Sequence, residues 1–244
     1  MNEGERRFAV FPPVFWRGGG KVEQVLTCTG LGKKFGILPA LSEVSVNMYS
    51  SRLVSLTGES GSGKSVFLRL AAGVLRPTAG ELTVCGELPA SREAKEVTAY
   101  LPDRDILPPD MTLTELVRYY HHFCIDFDTG LAVRLLGDIC ADMGRRFGKY
   151  SAGMRSAIQT ILVTSRRARL FLLDEPTRCL DGDGGLRGLI IGRISALAEE
   201  DSAVITADNA FLDTADDLLT LRCGTVSYYG SAAEGRYPKD ETDA

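Results

Sequence analysis

The chain has 244 residues, 44% of them hydrophobic and 25% charged, a soluble globular composition that excludes disordered and collagen-like classes. A formal net charge of −4 argues against a large basic face, so no nucleic acid is expected as a partner. Six cysteines, at 28, 85, 124, 140, 179 and 223, form no Cys-x-x-Cys pair and read as small buried apolar residues in a reducing compartment. No apolar run reaches the roughly 18 residues that span a bilayer, so no direct membrane insertion is expected.

Residues 1–20 are expected to form an N-terminal extension, with Phe11, Phe15 and Trp16 as anchors for the chain's own core or for a partner. Pro12 and Pro13 interrupt its aromatic run and no small-residue cleavage site follows, so it does not read as a signal peptide. The main domain is expected over 21–230 and a polar tail over 231–244. Val22 to Thr29 and Val44 to Met48 are β-rich, with Gly30, Gly32, Gly36 and Pro39 read as turn punctuation between them. They predict an antiparallel β-layer.

Leu53 to Thr57 reads as a short apolar strand and Val66 to Leu75 as a helix stopped by Pro77. A strand follows at Glu81 to Val84. Thr112 and Glu115 have capping-box spacing before a helical face of Leu113, Leu116, Val117 and Tyr120. Further helices are predicted over Leu131 to Cys140 and from Ser151, where Met154, Ala157, Ile158, Ile161 and Leu162 recur at helical spacing. The basic run Arg166, Arg167 and Arg169 reads as a solvated helix end. Leu170-Phe171-Leu172-Leu173 is continuous apolar sequence, the pattern of a strand buried on both faces of a parallel sheet. Strands alternating with helices predict an α/β protein with a helical insertion over about 104–160.

Between the Leu53 to Thr57 strand and the helix after it, Gly58-Glu59-Ser60-Gly61-Ser62-Gly63-Lys64-Ser65 fits Gly-x-x-x-x-Gly-Lys-Ser, in the strand-to-helix context that motif requires. Glycines let the backbone N–H groups wrap a phosphate. Lys64 would reach the β and γ phosphates and Ser65 would ligate Mg²⁺, with the helix start, where Val66 follows, adding favourable charge. A dinucleotide fingerprint fails because Val66 stands where its third glycine belongs. Asp174 and Glu175 emerge together from the end of an apolar strand, where open α/β sheets bind ligands. Asp174 would hold Mg²⁺ through water and Glu175 would polarise the attacking water.

On these residues the chain, from about Val22 to Tyr229, resembles the ATP-binding subunits of ABC transporters. Lys33-Lys34-Phe35-Gly36 looks like their adenine-stacking loop, Tyr150-Ser151-Ala152-Gly153-Met154 like the signature motif, and Leu180-Asp181 like the loop that crosses the dimer interface. The resemblance implies a P-loop NTPase (RecA-like) core with an antiparallel β-subdomain and an inserted α-helical subdomain. It implies ATP and Mg²⁺ as cofactors, and a dimer with a second ATP-binding subunit, homo- or heteromeric. Ser151 and Gly153 would contact the γ-phosphate held by that subunit. An integral membrane permease is the implied transport partner, and the expected place is cytoplasmic, peripheral on the inner face of the cell membrane. Tyr100-Leu101-Pro102-Asp103-Arg104 and Phe123 to Asp128 look most like the branch that serves ABC-2-type permeases.

Two positions depart from the family. Asp103 stands where most relatives carry a Mg²⁺-contacting glutamine, and a carboxylate can still ligate that ion. Ala207 stands where a switch histidine is expected after the last core strand; His121 and His122 are far away in sequence and read as structural. Losing one hydrogen bond to a charged phosphate costs about 1.5–3 kcal/mol; where that bond acts mainly in the transition state, the rate falls about ten- to a hundred-fold or somewhat more. With Glu175 retained, slow hydrolysis is expected, or an asymmetric pair in which a sister subunit supplies the histidine. The alternative is an ATP-gated regulatory subunit that scarcely hydrolyses. A soluble ABC protein of translation or DNA repair fits less well, because tandem cassettes and a long coiled coil are both missing from the sequence.

Overall fold

The computed structural model describes residues 23–180, 182 and 184–235. The expected extension over 1–20, Asp181, and all of the expected tail beyond residue 235 lie outside the described residues. Two sheets organise the chain. The smaller is antiparallel, in the order β2 (Leu38–Tyr49), β1 (Gln24–Phe35), β4 (Ala79–Val84). The larger has the order β5 (Thr98–Leu101), β6 (Leu170–Leu173), β7 (Ala203–Thr206), β3 (Arg52–Thr57), β8 (Asp217–Arg222), β9 (Thr225–Ser231), parallel throughout except for antiparallel β9.

The larger sheet is covered on both faces, which explains its continuous apolar strands. Leu170, Leu172, Val54, Leu56 and Ile205 join the core shared with the smaller sheet and with α1 (Lys64–Ala71). Phe171, Leu173, Leu53 and Val204 face the other way. They pack with α5 (Ala152–Thr164) and α6 (Gly184–Glu199). After a short α2 (Arg92–Glu96) and β5, the chain builds α3 (Leu113–Phe123), α4 (Thr129–Asp138) and α5 before returning to β6. The last described element is a single turn, α7 (Ala232–Gly235).

Local chemistry sets the boundaries. Thr112 and Glu115 form the expected capping box on α3, and Leu113, Leu116 and Val117 are buried beneath it. The helix expected to run to Leu75 stops at Ala71 because Gly73 takes a left-handed conformation (φ 69°). Val74 N–H then donates to Arg69 O and Gly73 N–H to Leu70 O, the paired bonds of a Schellman ending. The helix expected over Leu131 to Cys140 starts two residues earlier, because the Asp128 carboxylate accepts from Leu131 N–H and caps it at 2.9 Å.

Five other expectations are corrected. Gly30 and Gly32 are not turns: β1 runs through them with shifted register, and only Gly36 lies in the hairpin turn. Pro39 is inside β2, which is an edge strand where a missing N–H is tolerated. The strand at Ala203–Thr206 is not the last, since β8 and β9 follow it in sequence. Only Cys28 is a buried cysteine; Cys140, Cys179 and Cys223 are exposed, each in a positive-φ position off the strand faces. Arg166 is not solvated either. Its guanidinium pairs with Asp126 at 3.0 Å and donates to the carbonyls of Thr98 and Glu96, fastening the helical lobe to β5.

Candidate functional site

The parallel strands β3, β7 and β6 are neighbours, so the segments leaving their carboxyl ends converge. From β3 the chain enters Gly58–Gly63 and then α1. Gly58 has φ 135°, and a Cβ there would stand 2.2 Å from the Leu221 carbonyl oxygen, so this position accepts only glycine. Gly224 N–H donates to Ser62 O at 3.1 Å, tying the loop to the β8–β9 turn. Lys64 folds its ammonium onto the loop, donating to Gly58 O at 2.6 Å and Glu59 O at 3.0 Å. No side chain caps the first turn of α1. Its free N–H groups and positive dipole end therefore face the loop mouth, an arrangement suited to an anion.

From β6 the chain delivers Asp174 and Glu175. Asp174 is buried, and its Oδ2 meets no hydrogen-bond donor among the described residues. Burial pushes its pKa up, the Asp103 and Glu175 charges push the same way, and the Ser65 hydroxyl and Arg69 guanidinium oppose them. Glu175 is exposed with φ 51°, an unusual conformation for a residue with a Cβ. Its turn is held from two sides. Pro176 O accepts from the Ser156 hydroxyl of α5 at 3.1 Å, and the Asp208 carboxylate accepts from both Thr177 N–H and Thr177 Oγ1.

A cleft of about 790 Å³ collects Gly58, Ser60, Gly61, Gly63, Lys64, Ser65, Val66, Asp103, Asp174 and Glu175, and Ala207 shares its wall. The remaining expected residues stand apart from that lining. Glu59 and Ser62 contribute backbone to the loop, with Ser62 N–H donating to Glu59 O at 3.1 Å. Phe35, 51% exposed at the end of β1, carries the Lys33 ammonium 5.2 Å from its ring centroid. Ser151 is exposed and caps α5 by accepting from Met154 N–H. Gly153 crowds the acid-bearing loop: a Cβ there would stand 2.7 Å from Cys179 O. His121 bonds Thr129 at 3.2 Å in the helical lobe, away from the cleft.

The structure adds residues outside the expected site. Arg69, one helical turn beyond Ser65, pairs with Asp103 at 3.7 Å. Thr177, Arg178, Arg187 and Asp208 line the cleft. Only Thr177, inside Asp-Glu-Pro-Thr, and Asp208, next to Ala207, had a sequence signal; no local pattern announces Arg69.

The residues present suit a triphosphate accompanied by a divalent cation. The buried Asp174 oxygen without a donor, next to the Ser65 hydroxyl, is a hard oxygen pair of the kind such a cation takes. No group of three or more His, Cys, Asp or Glu residues among the described residues could hold a metal alone, so the remaining ligands would come from phosphate and water.

The family profile described as "ABC transporter" matches residues 41–178, more than half of the chain. The cytochrome c biogenesis ATP-binding export protein CcmA of Agrobacterium fabrum is 35% identical over 164 residues, covering 64% of this chain and 76% of that protein. The Fe(3+) ions import ATP-binding protein FbpC of Pseudomonas fluorescens is 30% identical over 237 residues, covering 90% of this chain and 66% of that protein. An ABC-type transporter of Penicillium crustosum, claG, is 28% identical, and this chain spans 27% of its length. A solved ATP-binding subunit of an ABC transporter superposes with a TM-score of 0.77 at 19% identity, covering 87% of this chain and 92% of that one, and so shares its fold. The chain therefore belongs to the ABC transporter family, as an ATP-binding ATPase of the P-loop class.

Proposed function

We propose that the chain is the motor subunit of a transporter, binding and hydrolysing Mg-ATP as a dimer and driving a separate membrane permease from the inner face of the membrane. The observation that carries this reading is the meeting of Lys64 and Ser65 with Asp174 and Glu175 in one cleft. Among the described residues no helix is long and apolar enough to cross a membrane, which agrees with a separate permease. The import and export proteins it resembles support the same division of labour.

In this reading the loop N–H groups and Lys64 hold the β and γ phosphates, and Phe35 stacks on adenine. Ser65 and Asp174 hold the divalent cation, with Asp103 beside them. Bound there, that cation offsets negative charge on the phosphate oxygens. Glu175 takes the proton of the attacking water. Ser151 and Gly153, at the exposed start of α5, serve the nucleotide of the partner subunit. The helices between β5 and β6 form the lobe that passes the motion to the permease. Hydrogen bonds from Ser156 to Pro176 O and from Gln159 to Asp105 join α5 to the catalytic turn and to the loop after β5.

Steady-state Mg-ATP turnover beside Glu175→Gln, with dimerisation followed by size, tests this. The motor reading expects turnover in the parent and its abolition with a trapped dimer in Glu175→Gln. One observation favours a second reading, an ATP-gated regulatory subunit: Ala207 brings only a methyl group to the end of β7. That reading expects both proteins to dimerise on ATP and neither to hydrolyse it.

A further inference from the structure

We propose that Arg178 is a further catalytic residue, supplying the charged contact to the terminal phosphate that the end of β7 does not provide; this rests on the ATPase reading above. β7 lies between β3 and β6 in the sheet, so the residue at its end faces the space between the phosphate loop and the acid pair. That residue is Ala207, 4% exposed, and it lines the cleft with no side-chain donor. The chemistry at this point needs one. As the water oxygen bonds to the γ phosphorus, the bond to the β–γ bridging oxygen breaks. Its electron pair leaves with ADP, and the water proton passes to Glu175. Negative charge spreads over the equatorial oxygens during that exchange, and fixed donors aimed at them lower the barrier.

The cationic side chains lining the cleft are Lys64, Arg178 and Arg187. Lys64 lies on the β3 side, where it donates to Gly58 O and Glu59 O, and it already serves the β and γ phosphates from the loop. Arg187 belongs to α6 and has an interaction of its own. Arg178 is exposed, and no ion pair or side-chain hydrogen bond engages its guanidinium among the described residues. Its backbone is nevertheless fixed. Arg178 N–H donates to Glu175 O at 3.0 Å, closing a turn that begins at the proposed base, and Thr177 in the same turn is clamped by Asp208.

The turn therefore presents one acid and one cation, three residues apart, to the same cleft. A guanidinium offers five donors in a fork that matches phosphate oxygens, and it stays charged at any working pH. It takes no part in proton transfer. An arginine that merely decorates the surface would leave the chemistry unchanged, because surface substitutions away from a site have small effects.

The experiment measures kcat and KM for Mg-ATP in the parent, Arg178→Ala and Arg178→Lys, each with and without Ala207→His. Arg178→Ala is expected to lower kcat about 10- to 100-fold with KM within about twofold, since the contact strengthens as charge develops. Arg178→Lys keeps the charge without the fork and should fall between. Ala207→His should recover about tenfold or more in the Arg178→Ala background and less than about threefold in the parent, the coupling expected of two groups doing one job. Unchanged kcat in Arg178→Ala overturns the proposal, as does a rise in KM alone or an equal gain from histidine in both backgrounds. Glu175→Gln measured alongside separates the two failures. If it abolishes turnover while Arg178→Ala does not alter it, the ATPase reading stands and Arg178 has no role; if it leaves turnover intact, the site assignment itself fails.

Discussion

The Asp208 carboxylate holds Thr177 twice, accepting from its backbone N–H at 2.9 Å and from its hydroxyl at 2.7 Å, while its other oxygen accepts from Ala210 N–H at 2.9 Å. This links the segment after β7 to the turn that carries Glu175, whose φ of 51° needs support from its surroundings. Asp208→Ala leaves those donors without the carboxylate. It should cost about 2 kcal/mol of stability, in the range for hydrogen bonds to a charged group. Turnover should fall about tenfold by loss of kcat, with KM nearly unchanged because the Lys64 loop is untouched. Asp208→Asn, which keeps an acceptor, should recover part of both. Urea unfolding and steady-state kinetics check the two halves; an unaltered kcat in Asp208→Ala would show that Glu175 needs no such brace.

Asp174 makes stability depend on pH. Burial raises its pKa, so the folded chain holds this proton to a higher pH than the unfolded chain does. Stability from this group therefore falls as the pH rises from the ordinary carboxylate range near 4 toward the raised value, and is flat above it. Asp217, also raised by burial, contributes with the same sign. Asp174→Asn should raise the melting temperature of the nucleotide-free protein at pH 7, because it removes the charge that burial disfavours. The gain should shrink as the pH approaches 4. With Mg-ATP added the order should reverse, because the variant lacks the carboxylate that the cation would use. Melting curves at pH 4.5 and 7, with and without Mg-ATP, decide it.

What the sequence made legible follows from how local each signal was. The phosphate loop, the acid pair and the caps at Thr112 and Ser151 are contiguous patterns whose geometry is set within a few residues, and the strand at Leu170–Leu173 reads directly because it is buried on both faces. The long β1 looks divided at Gly30 and Gly32 in the sequence because a bulge and a turn use the same residue type, and only pairing across strands tells them apart. Arg166 looks like a solvated end in the sequence because its partner Asp126 lies 40 residues away. Arg69 with Asp103, and Thr177 with Asp208, are likewise contacts between distant segments, brought together by strand order. No spacing rule along one chain records that order.

The phosphate loop separates two costs of replacing a glycine. At Gly58 a Cβ would meet Leu221 O at 2.2 Å and Ser62 Oγ at 2.6 Å, and φ is 135°. At Gly61 φ is 80° but nothing lies within 4 Å. Gly61→Ala thus bears backbone strain alone, about 1–2 kcal/mol. Gly58→Ala adds a clash with backbone that cannot rotate away, and should cost about 3 kcal/mol or more. Thermal unfolding of the two variants should show Gly58→Ala as clearly the less stable; equal losses would mean that the Leu221 strand end yields.

Phe35 tests the proposed adenine contact without touching the core. Its ring is 51% exposed, and the Lys33 ammonium that sits 5.2 Å from its centroid is itself anchored by donating to Arg76 O at 2.8 Å. One face of the ring thereby meets a cation, and the half-exposed side chain offers ring surface to a base. Stacking of a base on an aromatic side chain contributes about 1–3 kcal/mol, so Phe35→Ala should weaken ATP binding about 5- to 150-fold. A phenyl ring reads no base edge, and ATP and GTP should lose affinity by similar factors. Removing an exposed side chain should leave the melting temperature of the nucleotide-free protein within about 1 °C, because surface substitutions change stability little. Turnover at saturating ATP should persist, since the ring lies outside the cleft that holds Lys64 and Glu175. Fluorescent-nucleotide titration gives the affinities and steady-state kinetics the turnover. Unchanged affinity in Phe35→Ala would place the base elsewhere than on this ring.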